Sequence, residues 1–433
     1  MTPAAESRPA RPVATSGTRP PRAVADLPAA QRRTLIVLVT AQILSGAGLA
    51  AGVTVGSLLA QELLSSTSLA GLPSALGTAG SVLAAAIVAR ISQSRGRRPG
   101  LATGYLLGAL GSVGVIAGAA ADSPALFFTG LFVYGAGTST NLQARYAGAD
   151  LASPAHRARA VSTVLVATTV GGVAGPLLAA PTGDLSAGLG IPYLAGPFLL
   201  SGAAYAIAAL VLAVWLRPDP LLLARTVDLG PDEPSARPEQ RRTGVTVGTL
   251  IMVITQLVMV AIMTMTPVHL QHHGHGTAAS GVVIAIHLAA MYLPSPLTGW
   301  LVDRYNPVAI AVASGLTLLA AGVVAASASD VAPLAVALAL LGLGWNLGLV
   351  SGTAIVAGAT RAATRASTQG LVDVCIAIAG AFGGLASGVV VAEAGYPLLA
   401  VGGGVLALTV VPVVVLAARL DCRQHRRREE CGP

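Results

Sequence analysis

Gly299-x-x-x-Asp303-Arg304-x-Asn306 has a counterpart 210 residues upstream, Ala89-x-x-x-Gln93-x-x-Gly96-Arg97-Arg98. Each stretch closes an apolar run, the first copy after the second such run and the second copy after the eighth. A separate landmark repeats at nearly the same interval: Gly171-x-x-x-Gly175-Pro176 and Gly380-x-x-x-Gly384 lie 209 residues apart. Two independent landmarks within one residue of a shared offset indicate a duplicated unit.

Working outward, the apolar runs recur along the whole chain. Hydrophobic residues make up 54% of it and charged residues 10%, with mean hydropathy +0.74. A soluble surface needs more charge than that, so the solvent is lipid. Crossing a hydrocarbon core of about 30 Å takes about 20 apolar residues. Twelve runs qualify, at 34–61, 67–91, 100–121, 124–147, 158–180, 195–216, 246–270, 278–302, 308–328, 332–357, 368–392 and 396–418. The expected fold is an all-α integral membrane protein of twelve transmembrane helices in two six-helix bundles. Residues 33–216 form the first bundle and 244–419 the second. The stretch 217–243, with five prolines among charges, reads as a solvated linker. Residues 1–32, rich in Pro, Ala and Arg, and residues 420–433 read as tails.

All 26 basic residues are arginine. They lie in the tails, in even-numbered connections, or at helix ends beside them. The odd-numbered connections carry acids only: Glu62, Asp122, Asp184, Asp330 and Glu393. This bias predicts that both termini are cytoplasmic. The net charge of +8 is therefore a matter of topology and gives no reason to expect nucleic-acid binding. Cys375 falls in a helix, while Cys422 and Cys431 fall in a tail expected to stay reduced, so no disulfide framework is expected.

At these repeated loops the chain resembles the major facilitator superfamily, over residues 33–419. The second loop copy is nearly complete in Gly299, Asp303 and Arg304. The first departs, with Gln93 and Ser94 where the family usually has Asp and Arg. Asp150, Arg157 and Arg159 match the acidic and basic positions between helices four and five. The resemblance implies two bundles rocking about a central cavity, with a site near mid-membrane.

Apart from the initiator, the chain has five methionines: Met252, Met259, Met263, Met265 and Met291. All fall within forty residues, together with His269, His272, His273, His275 and His287. Thioethers and imidazoles at helical spacing are ligands for a soft cation such as Cu(I). In a symmetric hairpin with its tip near residue 275, Met263 stands level with His287 and Met259 with Met291. The upper pair then lies roughly 13–18 Å from the tip. Residues four apart share a helix face, so the four make two rungs of a ladder. Met259-x-x-x-Met263 followed by His287-x-x-x-Met291 resembles the CcoA-like copper transporters (the CalT family) of bacterial inner membranes. There the two motifs are needed for copper uptake, and riboflavin transporters are related to the same group. The ordinary alternative is that Met fills gaps in helix packing and His bonds a neighbouring carbonyl. Met252 and Met265 read as packing residues. His269, His272, His273 and His275 read as a capture funnel or as a pH-sensitive surface loop.

Ionisable groups inside a membrane are costly and mark functional candidates. Asp373 lies in helix eleven and Arg145 near the end of helix four, which in this superfamily flank the inner gate. A contact between them is expected when that gate closes; snorkelling of Arg145, or pairing with Asp150, is the alternative. Gln42, Asn141, Gln256, Tyr292, Trp345 and Asn346 are candidates to line a cavity, or else to make interhelical hydrogen bonds.

These readings lead to a secondary transporter, with copper uptake by alternating access first. Proton-coupled efflux of a drug or metabolite, or uptake of an organic solute such as riboflavin, are the alternatives. Against efflux, Ala179 and Ala180 replace the last glycines of the helix-five antiporter motif that Gly171, Gly175 and Pro176 begin. The absence of a phosphate-binding loop, nucleophile elbow or paired membrane carboxylates argues against an enzyme. No cofactor is expected, copper being cargo. The expected partners are the bilayer and a small-molecule or metal-ion substrate, with the chain a monomer in a bacterial inner membrane.

Overall fold

The computed structural model describes residues 27–64, 72–227, 238–274, 277–361 and 363–413. His275, Cys422 and Cys431 lie outside them. The described elements are helices, without a strand among them. Spans 1 to 4 are Leu27–Leu64, Leu72–Arg95, Arg97–Ala120 and Pro124–Ala149. Span 5, Arg157–Leu177, is followed by a short helix Ala179–Gly188, and span 6 is Gly196–Trp215. Span 7 is Pro238–His272; span 8 comprises Thr277–Tyr292 and Ser295–Tyr305. Span 9 is Pro307–Ser327 and span 10 is Val331–Ala359. Spans 11 and 12 run together in Arg365–Ala407, bending at Gly395, whose φ of +80° suits a residue without a Cβ. Eight described helices are long and apolar enough to cross a membrane. The longest carries spans 11 and 12, and spans 1, 4 and 5 complete the twelve.

The helix ends follow local chemistry. Asp330 caps span 10 by accepting from Val331 N at 2.7 Å, and Asn306 caps span 9 by accepting from Val308 N at 2.8 Å. Pro124 and Pro307 sit at first helical positions, where the missing N–H costs nothing. Span 8 breaks at Leu293-Pro294 where one continuous run is expected, because Pro294 and Pro296 supply no amide to the ladder. Three other boundaries differ from the reading of the sequence. Span 1 starts at Leu27, inside the expected tail; the expected linker contains the helix Pro220–Val227, and span 7 already starts within it at Pro238.

Each half has its own apolar core. One is built from spans 1 to 6, around Tyr105, Phe127, Phe198 and Tyr205. The other is built from spans 7 to 12, and Ala149, Ala158, Val161 and Leu165 of the first half join it. Backbones approach closely where glycine leaves room. A Cβ on Gly171 would fall 1.9 Å from Ile43 O of span 1, and one on Gly80 1.7 Å from Phe132 O of span 4.

Candidate functional site

The two halves close against each other at the arginine-rich end. Arg145 and Asp373 meet there with Nη2 and Oδ1 2.8 Å apart, both side chains buried. Arg145 Nε also donates to Thr353 Oγ1 at 3.1 Å and Nη2 to Tyr146 OH at 3.0 Å, while Nη1 donates to Leu142 O. Asp150 is engaged elsewhere: Arg97 Nε lies 2.8 Å from one of its oxygens and Arg365 Nη1 3.6 Å from the other. Arg97 in turn reaches across the halves to Gln369 Oε1. Thus Arg145 pairs with Asp373 and does not pair with Asp150.

The duplicated loops make matching contacts across the halves. Asp303 accepts from Ala158 N and Arg159 N, each at 3.0 Å, at the start of span 5. Gln93 accepts from Ser367 N at 3.1 Å at the start of span 11 and donates to Ala363 O. An amide therefore occupies the place of the usual carboxylate and still satisfies a helix N-terminus. A Cβ on Gly299 would fall 2.5 Å from Ser162 Oγ, and one on Gly370 1.9 Å from the Ala89 Cβ. Arg304 is exposed, its guanidinium carbon 6.0 Å from the Tyr305 ring.

The methionine and histidine motifs sit differently from a two-helix ladder. Spans 7 and 8 touch only slightly and both pack along span 10. His287 is fully buried; its Nδ1 bonds Leu338 O of span 10 at 2.9 Å, and its Nε2 has no partner among the described residues. Asn346 Nδ2 donates to Met291 O at 2.7 Å and to Ser295 Oγ at 2.7 Å, tying the same two spans. Met259 and Met291 are buried in the second core, with Met263 and Met265 packed against it. Met252 Sδ accepts from Thr353 Oγ1 at 3.5 Å. Symmetric-hairpin reasoning omitted span 10, which no local spacing reveals.

At the arginine-free end, His269 stacks on Tyr396 with ring centroids 4.2 Å apart, and its Nε2 bonds Ala328 O at 2.8 Å. His273 Nδ1 bonds the carbonyl of His269 at 2.9 Å; His272 and His273 are exposed. Among the described residues no cluster of three His, Cys, Asp or Glu side chains is arranged to hold a metal.

The remaining polar candidates divide between the halves. Gln42 and Asn141 are locked inside the first bundle: Gln42 accepts from Tyr105 OH at 2.6 Å and donates to Thr168 Oγ1 at 3.1 Å. Asn141 Nδ2 donates to Ser45 Oγ at 2.9 Å. These bonds hold both amides inside the first bundle. In the second half Trp345 Nε1 donates to Gln256 Oε1 at 2.7 Å, and Tyr292 meets Trp345 edge to face at 5.8 Å. Gln256 and Tyr292 are half-buried. Gly171 and Gly175 lie buried in span 5, with Pro176 in the same helix. Sequence reasoning missed Gln369, Thr353 and Tyr146, which bond Arg97 and Arg145 where the halves meet, because ordinary polar residues carry no motif. It also missed Asp219, which accepts from Arg98 N at 2.7 Å and Leu221 N at 3.0 Å.

Comparison with known proteins matches this architecture. The family model for the Major Facilitator Superfamily covers residues 38–312 and 249–430, and the chain belongs to that family. It is a multi-pass membrane transporter and not an enzyme. Two Bacillus subtilis (strain 168) proteins are similar over most of their length. The uncharacterized MFS-type transporter YdeG is 54% identical over 393 residues, 89% of this chain and 91% of YdeG. YddS, described in the same words, is 50% identical, covering 89% and 90%. The riboflavin transporter RfnT of Brucella anthropi is 32% identical over 351 residues, 79% of this chain and 85% of RfnT. Among solved structures, the human organic anion transporter MFSD10 shares the fold with TM-score 0.69 at 18% identity, covering 89% of this chain and 99% of MFSD10.

Proposed function

We propose that this transporter carries an organic solute with a flat, hydrogen-bonding ring system, a flavin being the example, by alternating access between its halves. The observation that carries the reading is the Gln256–Trp345–Tyr292 cluster, formed where spans 7, 8 and 10 converge. Aromatic residues are only 4% of the chain, so an indole and a phenol set beside an amide form an uncommon grouping here. Such a grouping supplies stacking faces and edge hydrogen bonds together. The similarity to RfnT supports the same reading. The arginine bias supports a bacterial inner membrane with both termini cytoplasmic; the closed arginine-rich end then corresponds to an outward-facing state.

Riboflavin accumulation in cells deficient in its synthesis and uptake tests this. The expected result is uptake above that of vector-only cells. Trp345→Ala and Gln256→Ala should each raise KM about tenfold, the loss of roughly 1.4 kcal/mol of binding. No uptake above background would overturn the flavin reading.

The second reading, copper transfer through Met259, Met263, His287 and Met291, is favoured by the buried Nε2 of His287, which has no partner among the described residues. Radioactive copper uptake lost in His287→Ala and unchanged in Trp345→Ala would put it ahead.

A further inference from the structure

On the arginine-rich side, where the halves meet, is a cavity of about 540 Å³. Its wall is shared by the halves: Pro154 and Arg157 come from the first, and the stretch from Val302 to Pro307 with the end of span 10 from the second. Arg157 is half-buried yet makes no ion pair or hydrogen bond among the described residues. Its Nη1 lies 3.3 Å from where a Cβ on Gly358 would stand, so the guanidinium occupies space that a side chain would fill.

The surrounding charges leave Arg157 undercompensated. Arg365 adds like charge beside it, and the nearby Asp150 and Asp303 only partly offset this. Asp303, the one carboxylate in the wall, is already committed to Ala158 N, Arg159 N and the Arg159 guanidinium 3.7 Å away. Asp150 is likewise taken by Arg97 and Arg365. Arg304 adds a second positive charge to the wall. A cavity with two arginines and a neutralised acid calls for an anion, and the guanidinium fork fits a phosphate.

Depth indicates where that phosphate comes from. Trp300 and Tyr305 flank the wall, 40% and 65% exposed and edge to face at 6.1 Å. Amphipathic rings exposed at a helix end mark the head-group layer. We propose that this cavity binds the phosphate of an anionic membrane lipid, with Arg157 as the inner cation and Arg304 as the outer one. Because both halves build the wall, the bound lipid holds the arginine-rich end closed. This does not depend on which solute is carried.

The test uses the full chain in bilayer discs of phosphatidylcholine with or without phosphatidylglycerol. Native mass spectrometry after transfer to detergent should show phosphatidylglycerol retained by wild type. Retention should fall about tenfold in Arg157→Gln and in Arg304→Gln, and persist in Arg157→Lys and in the distant Arg90→Gln. Spin labels across the arginine-rich end should report more of the closed state with phosphatidylglycerol in wild type, but not in Arg157→Gln. Should Arg157→Gln fail to fold, the exposed Arg304→Gln carries the comparison. Equal retention by folded variants and wild type would overturn the proposal. So would inorganic phosphate, added to phosphatidylcholine discs, reproducing the whole shift, since the ligand would then be a free anion.

Discussion

Arg145 and Asp373 approach from opposite halves and neither reaches solvent. Removing one member of a buried pair leaves a charge without compensation, at a cost of about 3–5 kcal/mol. Asp373→Asn and Arg145→Gln are therefore each expected to destabilise the closed arginine-rich end and to abolish most transport. Exchanging the two, Arg145→Asp with Asp373→Arg, should recover part of it; an exchange as inactive as the single variants would rule the pair out as a working element. Recovery should be incomplete, because Thr353 and Tyr146 are placed for a guanidinium on span 4. At this scale the sequence was legible for charges. A carboxylate and a guanidinium in apolar runs have few ways to be satisfied, and each finding the other is the economical one. It was not legible for Gln369 or Thr353, whose burial depends on how the halves meet; His287 follows the ordinary alternative of bonding a backbone carbonyl, with Leu338 as the partner that no spacing names.

Glycines show how two kinds of helix crossing differ. Gly171 meets span 1 inside the first bundle, whereas Gly370 meets span 2 across the divide between halves. Gly171→Val should force apart helices packed within one bundle, so lower thermal stability and poor yield are expected. Gly370→Val should leave the bundles intact and favour opening at the arginine-rich end, read as longer spin-label distances there. Equal loss of thermal stability in both would show that the interface between halves is as permanent as the bundle interior. The helices were largely legible, since length and apolarity fix a membrane span and the repeated loops fix the duplication. What escaped were features set by single residues or distant packing. Pro294 divides span 8, Gly395 carries span 11 into span 12, and span 10 receives both methionine-bearing helices.

For the molecule as a whole, the hydrogen bonds and ion pairs that join the halves among the described residues gather at the arginine-rich end. Cysteines introduced singly along the inner faces of spans 1 and 7 should therefore react with a membrane-impermeant thiol reagent applied from the arginine-free side. They should react little from the other side. The reverse pattern would mean that the resting protein is open at the opposite end. The paired loops add a directional consequence. Asp303 holds span 5 with help from an ion pair to the partly exposed Arg159, whereas Gln93 holds span 11 through uncharged bonds alone. Dissolved salt screens the first clasp and leaves the second nearly untouched. Raising ionic strength should thus unfasten the seam from the side of span 5 first, so that the rocking motion starts as a twist and not as an even parting.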